Sequence, residues 1–74
     1  MHFYYKTPKG TVSIVQRSGR WHVMFQDESL GSYISAHQAA DDVGGGHTFT
    51  PRSGIDLGSL NIPRDLDSWE HGHP

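Results

Sequence analysis

No cysteine occurs in this chain, so neither a disulfide nor a thiolate metal site can hold it together. In a domain this small that absence suits a reducing compartment, and the cytoplasm is the expected location. Apolar residues are also scarce. They make up 34% of the sequence, against ~45–50% in an ordinary globular domain, so part of the chain is expected to lie outside the core. No apolar run approaches the ~20 residues that cross a bilayer, and the opening M-H-F-Y-Y-K-T-P-K-G has aromatics but no signal-type hydrophobic segment. No membrane partner is expected. Acids outnumber Lys and Arg by eight to six, giving a net charge of −2. No global positive field then draws the protein to nucleic acid or anionic lipid, and any such contact has to be local.

What remains is 74 residues, one domain at most, near the size where a single core only just offsets the entropy of ordering the chain. Large clefts are not expected. The informative stretch is R-W-H-V-M-F-Q-D-E-S-L-G-S-Y-I-S-A-H-Q-A-A-D-D-V, Arg20 to Val43. Val12, Ile14 and Val15 mark a strand over Thr11 to Gln16, closed by a turn at Arg17 to Gly19. Trp21, Val23 and Phe25 alternate with His22, Met24 and Gln26, so the period of two buries the first three on one face. Asp27, Glu28 and Ser29 read as a polar turn before a third strand, Leu30 to Ile34, with Gly31 as a bulge position.

Ser35, followed three residues later by Gln38, has the spacing of a capping box and predicts a helix start. Ala36, Ala39, Ala40 and Val43 then fall at i, i+3, i+4 and i+7, a stripe of small residues that lets the helix approach the sheet closely. Gly44, Gly45 and Gly46 end it after about two turns. Beyond them the Gly, Pro and Ser content predicts irregular chain with one extended piece at His47 to Thr50. Pro63 can open a helical turn through Trp69 that sets Leu66 and Trp69 on one face, and the last five or so residues are expected to be disordered.

The expected fold is α+β: a three-stranded antiparallel meander packed on one short helix. It occupies residues 1–46 of a single domain. A loop-rich extension, 47–74, packs partly on that core.

The layout of residues 11–43 resembles the ethylene-response-factor (APETALA-type) DNA-binding domain of plant transcription factors, related small bacterial and phage domains, and short bacterial proteins of the same plan. The matching residues are G-R-W-H-V-M-F at Gly19 to Phe25, L-G-S-Y at Leu30 to Tyr33 and S-A-H-Q-A-A at Ser35 to Ala40. The resemblance implies a sheet face, turned away from the helix, that enters the major groove through Arg and Trp. The corresponding positions here are His22, Met24 and Gln26, with Ser13 and Val15 on the preceding strand; none is Arg. Since bidentate Arg is the commonest specific base contact, the base-reading set is not carried over.

Lys6, Lys9, Arg17 and Arg20, with Tyr4 and Tyr5 among them, could form a basic rim that touches phosphates and stacks bases, or a solvated strand end. Glu70, His71 and His73 could grip a borderline metal, but no third fixed ligand supports a resident ion and no cofactor is expected. His37 and Asp41 are helix neighbours with no nucleophile to activate, so catalysis is not expected. Asp41 and Asp42 oppose the helix dipole and suggest an edge for a basic partner. The three glycines follow a helix, where a phosphate loop precedes one, and no G-K-S or G-K-T is present. Leu66 and Trp69 could anchor in a partner's groove or pack back onto the core.

These readings converge on a small non-catalytic binding module. Its expected binding residues are Tyr5, Lys9, Ser13, Arg17, Arg20, His22, Met24, Gln26 and Tyr33. The favoured partner is an unidentified protein or a second copy, docked on the open sheet face around His22, Met24, Gln26 and Tyr33 or along the third strand as an edge; the alternative is nucleic acid on the face opposite the helix.

Overall fold

The computed structural model describes residues 2–48 and 50–72. The chain runs β1 (His2–Thr7), β2 (Gly10–Arg17), β3 (Arg20–Phe25), β4 (Glu28–Tyr33), α1 (Ala36–Gly44), 3-10 turns at Leu57–Leu60 and Leu66–Ser68, and β5 (Glu70–Gly72). All pairings are antiparallel, and the strand order is β4-β3-β2-β1-β5. The α+β class stands. The sheet has five strands where three were expected, and the two additions, β1 and β5, lie side by side at one edge.

β1 is held by full pairing with β2, from His2 opposite Val15 to Thr7 opposite Gly10. Its inward residues are Phe3, which is buried, and Tyr5, which packs against the core. The hairpin turn at Pro8 and Lys9 is closed by the Thr7 hydroxyl, which donates to the Gly10 carbonyl at 2.6 Å and accepts from the Lys9 amide at 3.1 Å. Between β2 and β3, Ser18 and Gly19 both take positive φ, 52° and 77°. Two such residues make the primed turn whose twist matches the flanking strands.

The β3–β4 turn falls at Gln26 and Asp27, so Glu28 and Ser29 belong to the strand and not to the turn. Gln26 takes φ 56°, and its amide donates to the Thr11 carbonyl at 3.3 Å. The expected irregularity at Gly31 is present: Val23 faces Gly31 and Met24 faces Ser29, leaving Leu30 as the extra residue of a bulge. Leu30 turns inward and is buried. A Cβ on Gly31 would lie 2.8 Å from the Tyr33 hydroxyl oxygen, so the Tyr33 ring fills the space that a side chain would need.

The Ser35 hydroxyl caps α1 by accepting from the Gln38 amide at 3.1 Å. At the other end the Gly46 amide bonds to the Val43 carbonyl and the His47 amide to the Asp42 carbonyl, with Gly46 at φ 75°. That pair of bonds is a Schellman cap, which needs the left-handed residue glycine provides. Ala36, Ala39, Ala40 and Val43 are all buried, as the stripe predicts. They pack over Val12, Ile14, Val23, Phe25 and Leu30 of the sheet.

Residues 47–74 contribute Leu57, Ile62, Leu66 and Trp69 to the same core. Leu66 and Trp69 are both buried, and the indole N–H donates to the Pro63 carbonyl at 2.9 Å. The 3-10 turn begins at Leu66, so Pro63 precedes it and does not open it. His47, Thr48 and Thr50 are not in a strand, correcting the extended piece expected there; Phe49 lies outside the described residues. Glu70–Gly72 pairs with β1 as β5, correcting the expected loose end, of which His73 and Pro74 lie outside the described residues. Among the described residues no helix is long and apolar enough to cross a membrane.

Candidate binding face

One side of the sheet is covered by α1 and the C-terminal segment; the other, the bare face, has no helix over it among the described residues, and there Val15 is buried while His2, Tyr4, Ser13, His22 and Met24 are half-buried. Residues directly opposite in an antiparallel pair share a face, so the register assigns each side chain. Phe3, Ile14 and Val23 form one inward row, and Tyr5, Val12 and Phe25 another. The outward rows are His2, Val15, His22 and Ser32; then Tyr4, Ser13 and Met24; then Lys6 and Thr11; and finally Arg17 opposite Arg20. Gly72 and Glu70 of β5 extend the His2 and Tyr4 rows.

Arg17 and Arg20 thus stand on the same face as His22 and Met24. That corrects the reading in which this face carried no Arg: β2 continues through Arg17 and β3 starts at Arg20. Two like charges directly opposite cost stability, of order a few tenths to 1 kcal/mol. The Arg20 guanidinium turns aside from its neighbour, donating to the Ser32 hydroxyl at 2.6 Å and the Ser32 carbonyl at 3.3 Å. Arg17 stays exposed.

The other expected residues divide. Ser13, Arg17, Arg20, His22 and Met24 come together on the bare face. Tyr5 does not, because it lies opposite Val12 on the helix side with its ring 6.0 Å from that of Trp69. Tyr33 is also on the helix side, opposite Trp21. Burial, the Asp42 charge and a hydrogen bond to that carboxylate push the Tyr33 hydroxyl up from 10.0 to about 12. Lys9 and Gln26 occupy turns at the end of the sheet farthest from Arg17. Along β2, Thr11 and Arg17 are six residues apart, so Lys6 and the Arg pair are separated by about 20 Å at ~3.3 Å per residue. The single basic rim of the sequence reading is therefore two cationic ends with no Lys or Arg between them.

His2, Lys6 and Glu70 join the face through strands β1 and β5, which the sequence reading did not recognise. A signal was nevertheless available. Lys6, Lys9, Arg17 and Arg20 precede Asp27, and no Asp or Glu stands among the first 26 residues. All eight acids and only two of the cations, Arg52 and Arg64, come later. The charged residues of the bare face come from the all-cationic part of an acidic chain, apart from Glu70.

Elsewhere several polar groups have structural employment. Asp41 is ion-paired with Arg64 at 3.0 Å, both largely exposed, so the chain itself supplies the basic partner expected at that edge. His71 packs edge-on against Phe3 with ring centres 4.7 Å apart. A cleft of about 360 Å³ lies between Phe25–Glu28 and Arg52–Ser53. There both oxygens of the Glu28 carboxylate accept from the Arg52 amide at 3.1 Å, tying that loop to β4. Among the described residues no group of three His, Asp or Glu side chains is placed to hold a metal ion.

Compared with family models, curated proteins and solved structures, the chain matches none.

Proposed function

We propose that the protein is a non-catalytic binding module whose working surface is the bare sheet face and whose partner is nucleic acid. The observation that carries this reading is the grouping of Lys6, Arg17 and Arg20 with Tyr4, His2 and His22 on one uncovered surface. Cations neutralise phosphates, and ring systems with small hydroxyls between them suit bases and sugars. Net charge argues for weak, local attraction rather than long-range capture. The test is a titration of isotope-labelled protein with short single-stranded and duplex oligonucleotides at low and physiological salt. Amide resonances of Ser13, Arg17, His22 and Met24 are expected to move together. With three phosphates neutralised, log affinity should fall against log salt with a slope of about −2 to −3. Resonances that stay still at low salt would remove the reading.

A second reading, docking of a second copy, is favoured by one observation. β4 is an edge strand, and Ile34, the next residue, is 77% exposed. An open edge beside an apolar side chain is a template for strand addition. Molecular mass in solution over a range of concentrations tests it, a constant monomer mass being the contrary result.

A further inference from the structure

Tyr4 lies midway along β1 on the bare face, between His2 and Lys6. Across from it on β1's other side lies β5, and there the diagonal neighbour is Gly72. A Cβ on Gly72 would sit 2.9 Å from Tyr4 Cε1 and 3.5 Å from Cδ1, so the ring leans over the glycine, in space that any other residue would occupy. Tyr4 is half-buried, so part of the ring stays open to solvent. Lys6 is two residues along the same strand on the same side, about 7 Å away at ~3.3 Å per residue. Ser13 is directly beside Tyr4 on β2, and Glu70 is opposite it on β5.

We infer that Tyr4 is a stacking platform for an unpaired base, and that the partner of this face is a single-stranded nucleic acid rather than a duplex. The inference rests on the nucleic-acid reading above and narrows it. Inside a duplex the flat faces of the bases are already stacked on one another, so a supine ring has nothing to bind; a single strand offers those faces freely. Lys6 is within reach of the phosphate adjoining the stacked base. Glu70 repels phosphate and accepts from a base amino group, which sets the backbone on the Ser13 side of the ring and the base edge toward β5.

The experiment is fluorescence anisotropy with one labelled oligonucleotide, presented as a single strand and as its duplex, against the full chain and four variants. The single strand should bind more tightly than the duplex. Tyr4→Leu keeps the apolar bulk but loses the ring, and should weaken single-strand binding by about ten-fold while leaving the duplex unaffected. Tyr4→Phe should retain the affinity. Gly72→Ala, which touches no ligand, should lift the ring and produce part of the Tyr4→Leu loss. Lys6→Gln should weaken both forms through lost phosphate contact. An amide spectrum of each variant checks that the fold persists. Duplex binding equal to or tighter than single-strand binding, with Tyr4→Leu silent and Lys6→Gln weakened, overturns this inference and leaves the nucleic-acid reading intact. Absence of binding to either form at low salt overturns both.

Discussion

Replacing Trp69 by Ala should remove a large share of the stability of this protein, although Trp69 belongs to a segment that reads as loop. The indole is 3% exposed, sits among Tyr5 and the core, and donates to the Pro63 carbonyl at 2.9 Å. Truncating a buried Trp typically costs ~3–5 kcal/mol. A domain of this length has about 4–11 kcal/mol in all, at ~0.05–0.15 kcal/mol per residue. The expected outcome of urea unfolding followed by circular dichroism is a midpoint lowered by about a quarter or more, with the slope against denaturant unchanged, since residues 47–72 should unfold together with the sheet. Trp69→Phe separates the two contributions. It keeps most of the buried ring and deletes the indole N–H, and should cost about 1–2 kcal/mol. A cost below about 1 kcal/mol for Trp69→Ala, with a reduced slope, would refute the claim that the C-terminal segment completes the core.

Other substitutions probe local features. Gln26→Gly relieves a side chain held at φ 56° and should raise stability by about 0.5–1 kcal/mol, or several degrees in thermal midpoint. Asp41→Asn breaks an exposed ion pair with Arg64 while easing an acid at the helix C-terminus, so the midpoint should move by less than about 0.5 kcal/mol. In an alkaline titration followed by tyrosine absorbance, one of the three tyrosines should ionise near pH 12, and Tyr33→Phe should delete that step. Because the folded form holds the Tyr33 proton more tightly than the unfolded chain, its contribution is complete below pH 10.0 and fades as pH rises to about 12. Asp42→Asn should move the same step toward lower pH.

The middle of the chain was legible because local signals there agree with the tertiary structure. Trp21, Val23 and Phe25 alternate cleanly, Ser35 caps a helix whose inward residues are small, and Gly46 closes it. β1 escaped notice because Phe3, Tyr4 and Tyr5 are consecutive aromatics. Tyrosine serves on either face, so no period of two appears, and the alternation emerges only once Phe3 lies opposite Ile14. β5 is three residues, Glu70, His71 and Gly72, and main-chain pairing alone makes it a strand. The candidate face was half visible for the same reason. Its β2 and β3 members follow from alternation, but ending β2 at Gln16 assigned Arg17 to a turn and hid the Arg17–Arg20 pair. Tyr33 was assigned to the wrong side because the bulge at Leu30 shifts the alternation by one residue, which spacing alone does not show.

The strand order also constrains how the molecule can be made. As the polypeptide leaves the ribosome, β1 to β4 can zip together in sequence, yet the outer hydrogen-bonding edge of β1 waits for Glu70–Gly72, more than 60 residues later. Until then Phe3 and Tyr5 also lack His71 and Trp69, the rings that pack against them. Nascent or truncated chains therefore carry a sticky aromatic strand with an open edge, the feature that invites misassembly during synthesis.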